Sequence, residues 1–252
     1  MLSLSRKIDF MIVGAQKSGT SALDHYLRKH PAIGLGQKKE LHFFDDEKLF
    51  EKGVPDYSLY HQKFDESPNN KIYGEVTPIY LYWKPSCQRI WEYNPEIKLI
   101  FILRNPIDRA FSHWNMEFGR KVEKMDFSYC IRNEKMRLAE VLPSQHRVYS
   151  YIDRGRYSGQ IRRFKKLFSS GQLYFIKYEE FKSNQLEELR KLFLLLGVDP
   201  EIYNFKYEQV YKLKQHAIIQ TEDKDYLLKI FKTEIDQIQK MLDWDCSDWL
   251  EV

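Results

Sequence analysis

The stretch that decides the fold is residues 8 to 27, IDFMIVGAQKSGTSALDHYL. It opens on a short apolar run, Phe10 to Val13, with charge before it and glycine after it, the pattern of a buried strand. Gly14 to Gly19 reads as a turn. From Thr20 onward Ala22, Leu23, Tyr26 and Leu27 recur at helical spacing, and the pattern stops before Pro31. A strand that feeds a glycine-bracketed loop onto a helix N-terminus is a ready anion site. The loop amides converge there and the helix dipole favours negative charge.

The segment GAQKSGTS has the two glycines of a phosphate-cradling loop, followed by Thr20 and Ser21. Nucleoside-triphosphate enzymes place a lysine directly after the second glycine, then a hydroxyl that holds magnesium. Here Thr20 stands in the lysine's place and the loop's own cation is Lys17. A cation at that position meets a terminal anionic group with no metal between them. The plainer alternative is a tight strand–helix turn with a surface lysine.

On these residues the chain resembles the sulfotransferases that use 3′-phosphoadenosine 5′-phosphosulfate (PAPS) and release 3′-phosphoadenosine 5′-phosphate (PAP). Their 5′-phosphosulfate loop is an apolar strand, then G-x-x-K-S/G-G-T-S/T, then a helix, and GAQKSGTSAL fits it residue by residue. The resemblance implies that Gln16, Lys17, Ser18, Gly19, Thr20 and Ser21 hold the cofactor's 5′ end, without a metal. KELHFF, Lys39 to Phe44, is most similar to the branch containing the heparan sulfate sulfotransferases and their bacterial relatives. The likeness covers most of the chain and fades between residues 120 and 150.

Length and composition agree with a single domain, residues 1–252, large enough to bury a core. Hydrophobic residues make up 43% and aromatic residues 15%, as in globular proteins. A net charge of +4 suits an anionic ligand and is too small to argue for nucleic acid. Cys87, Cys130 and Cys246 are far apart and odd in number, so they give neither a disulfide framework nor metal spacing. Residues 10 to 13 are too short for a signal core or a membrane span. The expectation is a cytoplasmic enzyme with reduced thiols and no membrane partner. There is no internal repeat, low-complexity stretch or linker.

In QKKELHFFDDE, Glu40 and His42 lie two residues apart, on one face if the segment is extended, with Phe43 and Phe44 as anchors. Taken alone this is a surface turn of mixed charge. In relatives with K-E-x-x-F-F the glutamate is the base that takes the acceptor's proton, and Glu40 occupies that position. His42 would then orient Glu40, share its proton or bind acceptor; the alternative is an ordinary core or surface histidine.

Residues 45 to 70 read as loops and a short helix covering the site. KIYGEVTPIYLYW gives a second strand ending near Val76, broken by Thr77-Pro78. The relatives often carry a lysine immediately before Thr-Pro; this chain has Val76. Tyr80, Tyr82 and Trp83 either floor an acceptor pocket or pack in the core.

Ile97 to Leu103 is nearly continuous apolar sequence, the mark of a parallel strand covered on both faces. Asn105 can cap a helix with Pro106 at its first position. A magnesium-dependent phosphate enzyme calls for an acid at the end of this strand, where the chain has Arg104, a cation suited to phosphate. Ser112 lies about two helical turns on. The family's 3′-phosphate motif is R-(x)7-S, and Arg104 and Ser112 match it.

Residues 116 to 150 read as helices over the site. DRGRYSGQIRRFKKLF places Gly155 and Gly159 around Tyr157, ahead of a basic helix with Ile161, Phe164 and Phe168 inward. A fourth strand spans Leu173 to Lys177. Tyr178 then resembles a tyrosine that contacts adenine in cytosolic relatives. Ser183 or Asn184 starts a helix with Leu186, Leu189, Phe193 and Leu196 inward, closed by Gly197. Residues 203 to 217 occupy the place of the family's cofactor-closing loop, with Lys212 and Lys214 as candidates for the 3′-phosphate. The last helix, 223 to 242, buries Leu227, Leu228, Phe231, Ile235, Ile238 and Leu242, with Trp244 and Trp249 packed at its end.

The whole reads as an α/β fold, a mostly parallel sheet flanked by helices, with ligand at the carboxyl ends of the strands. The expected activity is in-line transfer of a sulfuryl group from PAPS to an acceptor hydroxyl or amine, small-molecule or glycan, with Glu40 as base and Lys17 on the transferring group. A nucleotide-dependent kinase would need a lysine after Gly19 and an acid at residue 104. A non-catalytic nucleotide- or glycan-binding relative would have lost Glu40 or Lys17. Acceptor identity and oligomeric state stay open.

Overall fold

The computed structural model describes residues 6–202 and 215–251. The chain divides into two compact units, Met1–Leu103 with Phe164–Tyr211 and Arg104–Arg163 with Lys212–Val252. Five strands lie in the first unit: β1 (Phe10–Gly14), β2 (Ile33–Leu35), β3 (Ile72–Val76), β4 (Lys98–Leu103) and β5 (Leu173–Lys177). Along the chain the helices are α1 (Thr20–Lys29), α2 (Glu47–Phe50), α3 (Ser58–His61), α4 (Lys84–Tyr93), α5 (Pro106–Gly119), α6 (Phe127–Ala139), α7 (Tyr157–Lys165), α8 (Tyr178–Ser183), α9 (Gln185–Leu196) and α10 (Thr221–Leu242).

The sheet is wholly parallel, in the order β2-β3-β1-β4-β5. β1 is central and buried throughout, which is why its sequence is apolar without alternation. The winding reverses at β1, with β3 on one side and β4 on the other. The loop that follows β1 therefore opens into the crevice at the carboxyl ends of the strands.

One face of the sheet packs Phe10, Ile12, Ile100, Ile102 and Ile176 against Leu23 and Leu27 of α1 and Leu189, Leu192 and Phe193 of α9. On the other face Phe101 stacks on Phe175 at 4.7 Å and meets Phe164 edge-on at 5.3 Å. The α9 stripe departs from expectation at its start, where Leu186 is 47% exposed. Gln185 takes the inward place and accepts a 2.7 Å hydrogen bond from the Tyr26 hydroxyl. Gly197 closes the helix in the left-handed conformation, as expected.

In the second unit the Asn105 side chain accepts from the Ile107 amide and Pro106 opens α5. α7 begins at Tyr157, so Gly159 lies inside it rather than before it. Its first turn is held by Glu234 of α10, whose carboxylate accepts from the Ser158 amide and hydroxyl. Trp244 meets Trp249 edge-on at 6.4 Å. All three cysteines are buried and none is in a disulfide. Among the described residues no helix is long and apolar enough to cross a membrane.

Gly74 of β3 lies so close to the Phe10 ring that an added Cβ would fall inside its van der Waals surface. Overpacking of this kind costs roughly 1–3 kcal/mol. Gly74→Ala is expected to lower the urea midpoint by a corresponding amount; an unchanged midpoint would show that the Phe10 ring is not confined.

Candidate active site

The loop between β1 and α1 is built on two left-handed residues, Lys17 at φ 72° and Gly19 at φ 96°. Its start is tied to β4 by the Ala15 amide on the Ile102 carbonyl at 2.7 Å, and the turn closes through Ser18 N–H on Ala15 O at 3.2 Å. Glycine is required at 19 on two counts. Its φ is unfavourable for a residue with a side chain, and a Cβ would come within 2.9 Å of the Tyr178 ring.

Gly19 caps α1 without a side chain, and the first turn holds no acid. The leading amides of α1, at Thr20 and Ser21, have no intrahelical acceptor and face an anion's approach. The Ser18 amide, expected to join them, is engaged with Ala15 instead. Its hydroxyl is the more telling group. Ser18 is fully buried, and Oγ has no hydrogen-bond partner among the described residues. Leaving such a group unmatched costs about 1–3 kcal/mol. A phosphate oxygen would satisfy it, and with Lys17 and the helix N-terminus the residues present fit the 5′-phosphate end of an adenosine ligand.

Glu40 and His42 are brought together, but not by the extended geometry expected of them. Both have left-handed backbones, φ 63° and φ 55°, in an irregular strap that runs past the end of β3. Backbone anchors hold the strap: Glu40 N–H on Val76 O at 2.9 Å, Leu41 N–H on Thr77 Oγ1 at 3.0 Å, and the Phe43 and Phe44 amides on the Tyr80 hydroxyl at 3.0 and 3.3 Å. His42 Nε2 lies 3.5 Å from Glu40 Oε2, and His42 Nδ1 lies 3.0 Å from Asp45 Oδ2. Lys39 Nζ sits on the other Glu40 oxygen at 2.5 Å.

The ionisation follows from this order. Ionised carboxylates only accept, so an imidazole between two of them is best matched with a proton on each nitrogen. Asp45 first, and then Glu40, raise His42 to about 9 against the effect of burial. Burial pushes the Glu40 carboxyl up, but the His42 hydrogen bond and the Lys39 charge outweigh it and hold the group at about 2. Asp45 was not singled out in the sequence, where it falls at the start of the segment read as loops and a short helix, yet it is fully buried. The available signal was its position three residues after His42 and directly after two anchoring phenylalanines.

Val76 sends its side chain into the core with Phe10 and Ile12, which accounts for an apolar residue where relatives place a lysine. Tyr80, Tyr82 and Trp83 are all buried. Tyr178 opens α8 with its ring against Gly19. In the second unit Arg104 directly follows β4 and pairs with Asp108 at 3.2 Å, while its carbonyl accepts from the Tyr157 hydroxyl at 2.9 Å. Ser112 is half-buried two turns along α5. Gln16 is half-buried and Thr20 buried in the loop. Lys212 and Lys214 lie outside the described residues. Among the described residues no group of three or more His, Cys, Asp or Glu is placed to hold a metal.

A parallel sheet with an anion loop at its switch point defines a P-loop-like α/β protein. The sulfotransferase domain model matches residues 7–243, and the chain belongs to that family. Membrane-associated sulfotransferase kil1 of Dictyostelium discoideum is 27% identical over 165 residues, 65% of this chain and 34% of that protein. Human heparan sulfate glucosamine 3-O-sulfotransferase 5 is 28% identical over 195 residues, 77% of this chain and 55% of that protein. The crystal structure of a sulfotransferase from Alicyclobacillus acidocaldarius is 26% identical and superposes with a TM-score of 0.83, covering 98% of this chain and 100% of that one. The chain thus spans from 34% to 55% of the length of these two curated relatives.

The His42 contacts predict a titration. Its midpoint by side-chain NMR should lie near 9 rather than at the ordinary 6.5, and Asp45→Asn should bring it back toward 6.5. Because the folded value is the higher one, the stability His42 contributes is complete below pH 6.5 and lost as pH rises through 9. Glu40 behaves oppositely: its contribution is complete above pH 4.5 and lost as pH falls toward 2. A His42 midpoint of 6.5 in the parent protein would contradict the geometry.

Proposed function

We propose that this protein transfers a sulfuryl group from PAPS to an acceptor hydroxyl or amine, with Glu40 as the base. One observation carries the reading. Among the described residues of the first unit, the non-glycine positions with left-handed backbone are Lys17, Glu40 and His42. Strain of this kind collects at functional sites, and it falls on the three residues for which motif chemistry gives a reason.

When bound, the donor supplies an activated sulfuryl group and is released as PAP. Lys17, the Ser18 hydroxyl and the amides at the start of α1 would hold its 5′ end, meeting the charge that builds as the group departs. Well-placed donors of this type are worth roughly 3–4 kcal/mol each. Arg104 and Ser112 would take the 3′-phosphate, selecting against ATP, with Lys212 and Lys214 assigned to the same end and Tyr178 to the adenine side. Glu40 takes the acceptor's proton. Its low basicity is no obstacle, because a hydroxyl becomes strongly acidic as its oxygen bonds to sulfur, so the transfer comes late. Positioned carboxylates contribute ~10²- to 10⁴-fold in such steps. The acceptor class, a small-molecule or glycan hydroxyl, rests on the likeness to heparan sulfate enzymes alone. Three buried thiols suit a reducing compartment such as the cytoplasm.

The test uses labelled PAPS with a pool of cell-extract acceptors, followed by kinetics on the acceptor that takes up label. Glu40→Gln should lower turnover ~10²- to 10⁴-fold while PAP affinity by calorimetry stays near parental. Parental turnover would rule out the base. Arg104→Ala should weaken PAP binding; an unaltered affinity would rule out the 3′-phosphate assignment.

A further inference from the structure

Buried Glu75 takes no part in the reaction assigned above. It lies in β3 with 1% exposure, opposite Met11 of β1 and pointing to the face away from Val76. Burial pushes its carboxyl up, so the site must supply partners in compensation. Three hydroxyls do so: Thr77 Oγ1 at 2.6 Å and Tyr80 OH at 2.8 Å on Oε1, and Tyr60 OH on Oε2.

Two of those hydroxyls have a second task. Thr77 Oγ1 accepts from the Leu41 amide, and the Tyr80 oxygen accepts from the Phe43 and Phe44 amides. A hydroxyl has one proton and two lone pairs. With its proton on Oε1, each oxygen presents lone pairs to the amides; turned the other way, its proton would oppose an N–H. This polarity needs only that Oε1 accept, as it does in the carboxylate and in the neutral acid with its proton on Oε2. The amides so held flank the left-handed residues Glu40 and His42, whose conformation persists only if its surroundings over-determine it.

We infer that Glu75 is a positioning residue: by taking the Thr77 and Tyr80 protons it aims both hydroxyls at the strap and fixes Glu40 and His42 in register with the end of β3. The Tyr60 hydroxyl donates to Glu75 and accepts from no strap amide among the described residues, so its contact with the strap is the packing of its ring on Phe43 and Phe44. The inference rests on Glu40 being the base.

The experiment measures kcat, the donor KM and the His42 NMR titration for Tyr80→Phe, Thr77→Val, Glu75→Leu and Glu75→Gln, with Glu40→Gln alongside. Tyr80→Phe and Thr77→Val should lower kcat by about 10- to 100-fold, as small misplacements of catalytic groups do. The donor KM should stay within about twofold, since the loop after β1 is untouched. The His42 midpoint should fall from about 9 toward 6.5. Glu75→Leu should behave likewise, and Glu75→Gln, whose amide oxygen can take the same two protons, should recover most of the loss. If Glu75→Leu does not fold, the two hydroxyl variants still decide. Parental kcat in both, or reduced kcat with an unmoved His42 midpoint, would overturn the inference. Parental turnover of Glu40→Gln would instead remove the base assignment, and the His42 titration would still report whether Glu75 holds the strap.

Discussion

A left-handed backbone at a residue bearing a β-carbon survives only where the surroundings leave no better arrangement. The first unit meets that demand at three places, and in each the carboxyl end of the sheet supplies the restraint. Lys17 sits in a turn pinned to the carbonyl of Ile102 in β4. Glu40 hangs by its amide from Val76, the last residue of β3. His42 has hydroxyl-bound amides on both sides and a ring clamped between two carboxylates. These three side chains are thus carried by irregular segments, but their positions are set by β1, β3 and β4.

The same cluster balances its own charge. Lys39 and protonated His42 stand against Glu40 and Asp45, so a fully buried Asp45 is not left as an isolated anion. Removing one member of such a set is more damaging than replacing all of it, because an uncompensated charge remains. Val76 belongs to the same picture from the opposite side. Its inward path to the core leaves positive charge near Glu40 to Lys39 and His42, which approach from the strap.

Much of the fold was legible because parallel strands buried on both faces announce themselves. FMIVG is apolar throughout and KLIFIL is apolar after Lys98, and Thr77-Pro78 marks the end of β3. β2, three residues at the sheet edge, read only as an extended segment because it is too short to carry a pattern. Lys17 was legible in the spacing of the glycine-bracketed loop, whereas Glu40 and His42 stood out only through the resemblance of KELHFF to the family's K-E-x-x-F-F. Asp45 and Glu75 were not legible, since a carboxylate's burial is decided by distant partners, such as the Tyr60 and Tyr80 hydroxyls for Glu75. The sign of φ at Glu40 was equally hidden, since a glutamate side chain gives no warning of a left-handed backbone, and at His42 the residue type is only a weak signal. Leu186 was misplaced because the inward stripe was begun one turn early, where Gln185 finds a buried hydroxyl.

The sheet has a further consequence for the order in which it can form. Leu99–Leu103 pairs with Leu173–Lys177, yet the chain leaves the first unit at Arg104 and re-enters it at Phe164. Closing so long an excursion adds little to the equilibrium penalty, which grows only with the logarithm of length. The delay is kinetic, because pairing between sequence-distant parallel strands is slow. During synthesis the outer side of β4, with Ile100, Phe101, Ile102 and Leu103, waits uncovered until the intervening segment has been made. That ribbon of unpaired amides and apolar side chains is where a nascent chain of this protein is most open to a stray strand from a neighbour.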